Sequence, residues 1–550
     1  MNRNAESHFA VAPANVDISR SQFDRSHGNT FTANFGQLIP MYVEEVLPGD
    51  TFNVTSSKAV RLQTLLKPVM GNMYLDTYYF FVPNRLIWDH WQEFCGESNQ
   101  AWTPSIEYTI PQIEIPQGGF PFGSLADYLG VPPGVGEFQT ISHLPFRAYA
   151  KIVDDWFRNQ NLEDPINVYT GDATIQGSDD IYDPEGELID GARLYTAGKY
   201  HDLFTSCLPS PQKGPAVRIP FDTGSINQFI PVQSRPQAIN TDDLMAAAVQ
   251  IKSVQTKKPM YLVNNSDDIG AQMADPGYTD NGFFFTNLGI ESNDFDAAIS
   301  VSDMRMSFAI QKFYERMARS GSRYIEILKS MFNVTSPDAR LQRSEYLGGN
   351  RMPIAVSQVT NNAQTENNPL GNVGAMSLTN DLHHDFVHSF TEHGYVIGVC
   401  VARYEHSYPQ GLPKHFSRLN KFDFYWPVFA NISEQPIYKR EIYFSDDDSD
   451  NALVFGYQEP WAHYRFGFNS VHGEMRPDHP QTLASWNLSD DYSDVPYLSH
   501  EWAMEDKINV DRTLAVTSDV SNQILVDFWF KNIATRPLPM FSVPGLIDHH

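Results

Sequence analysis

Hydrophobic and polar positions alternate most clearly near the C-terminus, where Ile524, Val526, Phe528 and Phe530 interleave with Leu525, Asp527 and Trp529. A period of two predicts a strand packed hard on one face. Runs of β-branched and aromatic residues of strand length recur at Tyr42–Val46, Met73–Val82, Tyr395–Arg403, Phe422–Trp426, Tyr438–Phe444 and Gln523–Phe530. The stretches between them are long, irregular and rich in Pro, Asp and Asn. They predict a mainly β scaffold carrying large surface insertions, not a barrel of short even hairpins.

A three-to-four-residue period appears in two places. Phe146, Tyr149, Val153 and Trp156 predict a helix that begins near Pro145, a favourable first-turn residue. A second helix is expected from Asp303, a candidate N-cap, with Met306, Ile310, Phe313 and Met317 buried along one stripe. Ser320-Gly321-Ser322 interrupts it, and Tyr324, Ile327, Leu328 and Met331 resume the period up to Phe332. Between about 221 and 295 the texture turns to Asn, Asp, Gln and Gly, with one short helix expected at Asp242–Lys252 and a Phe283-Phe284-Phe285 cluster. This stretch reads as a semi-independent insertion, and no internal repeat of solenoid or propeller period accompanies it.

Composition narrows the class. Of 550 residues 41% are hydrophobic and 13% aromatic, enough for a sizeable core and too much for general disorder. Cys95, Cys207 and Cys400 are odd in number and far apart, so they offer neither a disulfide framework nor a zinc ribbon. Met1–Asp17 is polar, without the apolar core of a signal peptide, and the longest apolar run, Val396–Ala402, is too short to span a bilayer. A soluble protein folding in a reducing cytoplasm is expected. The charge is strongly acidic, 39 Lys+Arg against 66 Asp+Glu, for a formal −27. A chain that wrapped nucleic acid over most of its surface would be basic, so DNA contact has to be a local patch or pass through a basic partner.

The search for chemistry finds little. No phosphate loop, HExxH or GxSxG motif is present, so no catalytic residue is assigned. His384 and His388 would share one face of a helix, beside His383 and His393, but no Cys or correctly spaced Glu completes a metal site. Asp446, Asp448 and Asp450 imitate the first half of a calcium loop, yet Asn451 stands at the turn glycine and Tyr457 at the bidentate Glu. Neither a metal nor an organic cofactor is therefore expected. The segment 303–343 stands out electrostatically, with eight basic residues against four acidic ones. Lys312, Arg316, Arg319 and Arg323 would follow one helix face, with Lys329, Arg340 and Arg343 beyond. This is either an ordinary solvated or subunit-bridging face or a local phosphate-facing patch. From the residues alone, a shell subunit, a β-rich glycosidase with unsigned carboxylates and a receptor-binding lectin all remain open.

Longer blocks go further. Arg25-Ser26-His27-Gly28, Leu38-Ile39-Pro40 and Glu45–Phe52 (EVLPGDTF) resemble the N-terminal signature of gokushovirus major capsid proteins in the Microviridae. So do Asp76–Trp88 (DTYYFFVPNRLIW), Ser206–Pro215 (SCLPSPQKGP), Gly321–Gly349, Tyr425-Trp426-Pro427, Gly456–Glu459 with Tyr464-Arg465, and Pro544–His549. The blocks run in family order over nearly the whole chain, except roughly 222–295. Two departures stand out. Ser344 replaces the usual proline, and Phe466–Gly473 (FGFNSVHG) lacks the basic residues often seen there, so no DNA role is carried onto it.

The resemblance implies a single eight-stranded viral jelly roll with large loop insertions and a few helices, and no enzymatic activity. It implies core parts at 1–221 and 296–550, with 222–295 forming a threefold surface protrusion whose Phe283, Phe284 and Phe285 are candidates for packing or host contact. The implied partners are further copies of the chain, a circular single-stranded DNA genome, a small basic DNA-binding virion protein, scaffolding and pilot proteins, and a host surface receptor. The implied location is the virion, assembled in the bacterial cytoplasm. Candidate DNA-facing residues are Arg316, Arg319, Arg323, Lys329, Arg340 and Arg343.

Overall fold

A computed structural model describes residues 19–97, 107–178, 192–217, 301–362 and 370–541, with short strand segments at 180–182, 188–190, 233–234, 251–253, 259–260, 283–285 and 288–289. Numbering only the principal elements, the strands are β1 (Ser21–Asp24), β2 (His27–Ala33), β3 (Ile39–Val46), β4 (Thr51–Leu62), β5 (Met73–Pro83), β6 (Glu345–Pro353), β7 (Thr379–Ser389), β8 (Gly394–Tyr404) and β9 (Ile524–Arg536). The principal helices are α1 (Leu144–Ile152), α2 (Val301–Arg319) and α3 (Tyr324–Phe332). The chain divides into two compact units, residues 1–213 with 315–550, and 214–314.

Two antiparallel sheets organise the larger unit. One has the order β2-β9-β4-β7, with β1 continuing the β2 edge along β9; the other has the order β6-β5-β8-β3. In β4 and β9 of the first sheet period-two burial is strict. Phe52, Val54, Val60, Val526, Phe528 and Phe530 point inward, while Asn53, Ser57, Leu525 and Trp529 face out. The inward rings meet those of the second sheet, Tyr42 on Phe530 at 5.1 Å and Tyr79 on Phe386 at 5.3 Å. The second sheet is buried on both faces, so β5 and β8 read as nearly continuous apolar runs. Its far face, carrying Phe80, Val82, Ile397 and Val399, packs on Phe146, Tyr149 and Ile152 of α1 and on Trp88. The Tyr149 hydroxyl donates to the Leu38 carbonyl at 2.8 Å, pinning α1 to the start of β3.

Three sequence expectations are corrected. Phe422–Trp426 is not a strand: the Asp423 carboxylate accepts the Leu419 and Asn420 N–H groups at 2.7 Å each and winds Lys421–Asp423 into a 3₁₀ turn. Tyr438–Phe444 is extended only at its start, in the strand Gln435–Tyr438. Glu441 then accepts the Tyr438 N–H at 3.1 Å and folds Lys439–Glu441 into another 3₁₀ turn. The α2 stripe is exposed: Met306, Ile310 and Phe313 are 62%, 37% and 50% accessible. Periodicity marks which side chains share a face, not what covers it. The helix expected at Asp242–Lys252 lies outside the described residues except at its end, where Ile251–Ser253 is a strand.

Buried charge clamps the sheets to their loops. Asp76 on β5 accepts from Arg351 on β6 at 2.8 Å, from the Tyr200 hydroxyl at 2.7 Å and from Arg403 on β8. Both guanidiniums lie over the Tyr200 ring at 4.3 Å, which fastens the loop carrying Tyr200 to three strands at once. Below β8, the fully buried His406 bridges Asp490 at 2.7 Å and Glu505 at 3.0 Å, with Lys199 3.9 Å from Asp490. Burial works against the charged imidazole, but the two carboxylates outweigh it and push the pKa up to about 10. Asp490 is held well below the carboxylate range: burial opposes its charge, and His406 and Lys199 more than offset it.

Because His406 titrates higher folded than unfolded, its stabilisation is full below about pH 6.5. It declines above that and is gone past about pH 10. Thermal melts of the full chain should therefore lose stability steadily between about pH 6.5 and 10. His406→Gln should cost roughly 3–5 kcal/mol at neutral pH, by leaving two buried carboxylates without their cation, and should flatten that alkaline slope. An unchanged slope in the variant would assign the alkaline loss to other groups.

Candidate functional site

The basic segment folds as two helices broken where glycine is required. Gly321 sits at φ +90°, and a side chain there would collide with the Glu326 carboxylate, which accepts the Arg323 N–H at 3.1 Å to cap α3. α3 ends on Asn333 in the left-handed conformation that Asn tolerates. Asp303 lies in the first turn of α2, which begins at Val301, and not at the N-cap expected from the sequence.

The six candidate cations separate into two groups. Arg319 grips the buried Glu434 through Nε and Nη2, the second bond measuring 3.0 Å. Arg323 donates to the Asp154 and Arg158 carbonyls at 3.2 and 3.3 Å. Arg343 donates to the Asp155 carbonyl at 2.7 Å and stacks over Trp156 at 4.3 Å. Arg323 and Arg343 thus anchor the segment to the π-turn that continues α1, and Arg319 ties it to the loop of Glu434. Arg316, Lys329 and Arg340 are exposed. Beside Arg343, Ser344 gives both its N–H and its hydroxyl to Asp155 at 2.9 Å. A proline at this position could make neither bond.

The other candidates disperse. β7 is a strand, not a helix, and a bulge between His384 and Phe386 turns His384 outward and His388 toward Glu345, 3.9 Å away. His384 meets Asn53 at 3.1 Å, His383 meets Asp385 at 3.1 Å, and His393 meets Trp91 edge-on. Among the described residues no three His, Cys, Asp or Glu side chains gather in a metal-binding group. In the acidic loop Asp447 caps the short helix Asp448–Asn451, accepting from the Ser449 N–H at 2.8 Å. Phe283–Phe285 forms a short strand paired with Ile251–Ser253.

One feature escaped the sequence reading because its aromatics resembled a strand. Lys414–Phe429 is a chain of 3₁₀ turns on the surface. Phe416, Leu419, Phe422 and Trp426 are 68%, 91%, 61% and 50% exposed. Arg418 stacks over Phe424 at 4.7 Å and Tyr464 at 5.0 Å, and Lys421 over Phe422 at 5.1 Å. Next to them, burial pushes the His463 pKa down to about 4, helped by the positive charges of Lys414 and Arg418. The available signal was the lack of strict alternation and the Lys or Arg recurring every three or four residues.

Comparison with known proteins fits this architecture. A family model described as capsid protein (F protein) matches residues 13–546. The chain is 37% identical to capsid protein VP1 of Spiroplasma virus 4 over 96% of each chain. It is 35% identical to capsid protein VP1 of Chlamydia phage 1, over 98% of this chain and 97% of that one. It is 37% identical to capsid protein VP1 of Bdellovibrio phage phiMH2K, over 99% and 98%. With a family model matched over residues 13–546 and relatives 35–37% identical over at least 96% of its length, the chain belongs to the F capsid protein family of phages, among its gokushovirus-like members.

Proposed function

We propose that the chain closes a small icosahedral shell around a circular single-stranded DNA genome, making no bond and breaking none. The observation that carries this reading is the end-to-end match to phage capsid proteins. The sheet orders support an eight-stranded viral jelly roll. If β1 and β2 are counted as one interrupted strand, the strands in chain order are first-eighth-third-sixth in one sheet and fifth-fourth-seventh-second in the other. That arrangement leaves the insertions at the strand connections, where their backbone can be solvated. Assembly takes place in the host cytoplasm with scaffolding and pilot proteins, and a small basic virion protein neutralises most of the phosphate that a chain of −27 cannot. Co-expression with those virion proteins should give closed shells in negative-stain micrographs. Discrete monomers under those conditions would favour the glycosidase or lectin alternatives.

Part of 303–343 faces the genome in this reading, supported by its local basic excess. The exposed Arg316, Lys329 and Arg340 are the informative positions, because Arg319, Arg323 and Arg343 also hold the fold. Changing the three exposed residues to Gln should lower the DNA content per shell without changing shell yield. Normal DNA content would make this an ordinary solvated face.

The insertion at 222–295, within the second compact unit, forms a threefold protrusion with Phe283, Phe284 and Phe285 packed among neighbouring copies or meeting a host receptor. Its support is the gap in family motifs and the shift to polar, turn-forming residues. Shells in which 222–295 is replaced by a short Gly/Ser linker should assemble and adsorb poorly to cells. Adsorption equal to the parent would remove the host-contact role, and failure to assemble would make the segment an assembly element.

A further inference from the structure

The exposed loop Lys414–Trp426 combines two properties. Lys414, Arg418 and Lys421 lie within eight residues of one another, and the single acid in the loop, Asp423, has its carboxylate committed to two backbone N–H groups. Interleaved with them are Phe416, Phe422 and Trp426, each at least half exposed. The backbone beneath is held in place. Asp423 caps the 3₁₀ turn, the Trp426 indole donates to the Lys421 carbonyl at 2.8 Å, and the Trp461 indole donates to the Phe429 carbonyl at 2.9 Å. Lys414, paired with Glu441 at 2.7 Å, fixes the start of the loop. The rings are thus presented on a braced loop, which lowers the ordering cost of binding.

We propose that this loop is a stacking platform for single-stranded DNA, with bases laid on the exposed rings and phosphates met by Arg418 and Lys421. The inference rests on the shell reading above and deepens it by naming a contact surface for the enclosed strand. Aromatic faces accept any base, and interleaved cations track the backbone, so the combination suits a strand of arbitrary sequence. A second copy of the chain fits less well. Its overall charge is −27, which would attract these cations, and Leu419 is free to be covered, but lysines such as Lys421 are depleted from interface cores. Arg418 and Lys421 lie over rings instead of carboxylates, which leaves their charge available. The positive field of the loop is felt by His463, whose protonation it opposes.

The test uses the full-length chain and a fluorescent oligo-dT of about 20 nucleotides, with anisotropy titrations at several salt concentrations. Arg418→Gln with Lys421→Gln should weaken binding and reduce the magnitude of the salt slope by about 1.4, since each phosphate neutralised by a single cation contributes roughly 0.7. Phe422→Ala with Trp426→Ala should weaken binding about tenfold or more with the slope unchanged. Circular dichroism and melting of each variant establish that it is folded. If folded variants bind oligo-dT as the parent does, the platform is overturned while the shell reading stands. If the parent binds no oligo-dT and forms no shell containing single-stranded DNA, the reading of a DNA-enclosing shell itself fails. If the variants keep parental DNA binding and stop assembling, the loop is a contact between copies and the proposal is wrong.

Discussion

The rest of the fold depends on a sheet with two buried faces. β5 and β8 carry large apolar side chains on both sides, so one sandwich interface cannot satisfy them. One face is covered by the partner sheet, through contacts such as Tyr79 on Phe386. The other face must be covered by chain that is not part of the sandwich. That chain comes from the connection after β5, which supplies Trp88, Ile113, Leu125, Phe146 and Tyr149. The long connections are therefore not ornaments on a self-sufficient β-core. They form its third layer, and the helix α1 is their main structural member.

A layer built of irregular loops has to be fixed by directed interactions, since it has no ladder of its own. This accounts for the placement of the buried ions. Asp76 holds two arginines and Tyr200 at the junction of three strands and a loop. His406 with Asp490 and Glu505 does the same between the end of β8 and two distant parts of the last connection. Such clusters give little net stability relative to apolar packing, because desolvation consumes most of the Coulombic gain. Each is expensive to break at one member, and that asymmetry favours one arrangement of the loops over its alternatives.

What the sequence made legible follows from this division. Strands with one wet face announce themselves by alternation, as at Ile524–Phe530, and helices by their period, as at Phe146–Trp156. The helix break at Gly321 was readable because its cause is local. The turns at Lys421–Asp423 and Lys439–Glu441 were misread because a single carboxylate closing on nearby N–H groups overrode the strand preference of aromatic residues. The role of His406 was invisible, since its partners lie 84 and 99 residues away. The same limit applied to Arg319, Arg323 and Arg343, which looked equivalent to Arg316 until their acceptors, 115 or more residues distant, were in place. The jelly-roll expectation came from resemblance, because periodicity locates strands without ordering them.

Internal pairing also sharpens the electrostatics of the outside. Cations at positions 25, 319, 351, 403, 406 and 414 are each committed to carboxylates at positions 44, 434, 76, 490 or 505, and 441. These six cations meet six carboxylates in all, so the pairing uses up both signs together and leaves the acidic surplus unrelieved. The rest of the chain therefore carries the imbalance undiminished. A phosphate chain near such a surface is repelled over most of its length, within a screening distance of about 8–10 Å. Under that constraint cations not consumed by carboxylates count for more than their number suggests. Their attraction is felt against a repulsive background, which confines a bound strand to a few tracks. Exposed rings beside such cations add a second, uncharged contribution that salt does not screen. A strand held this way is located by where the acidic surface is relieved, and no sequence of bases needs to be read.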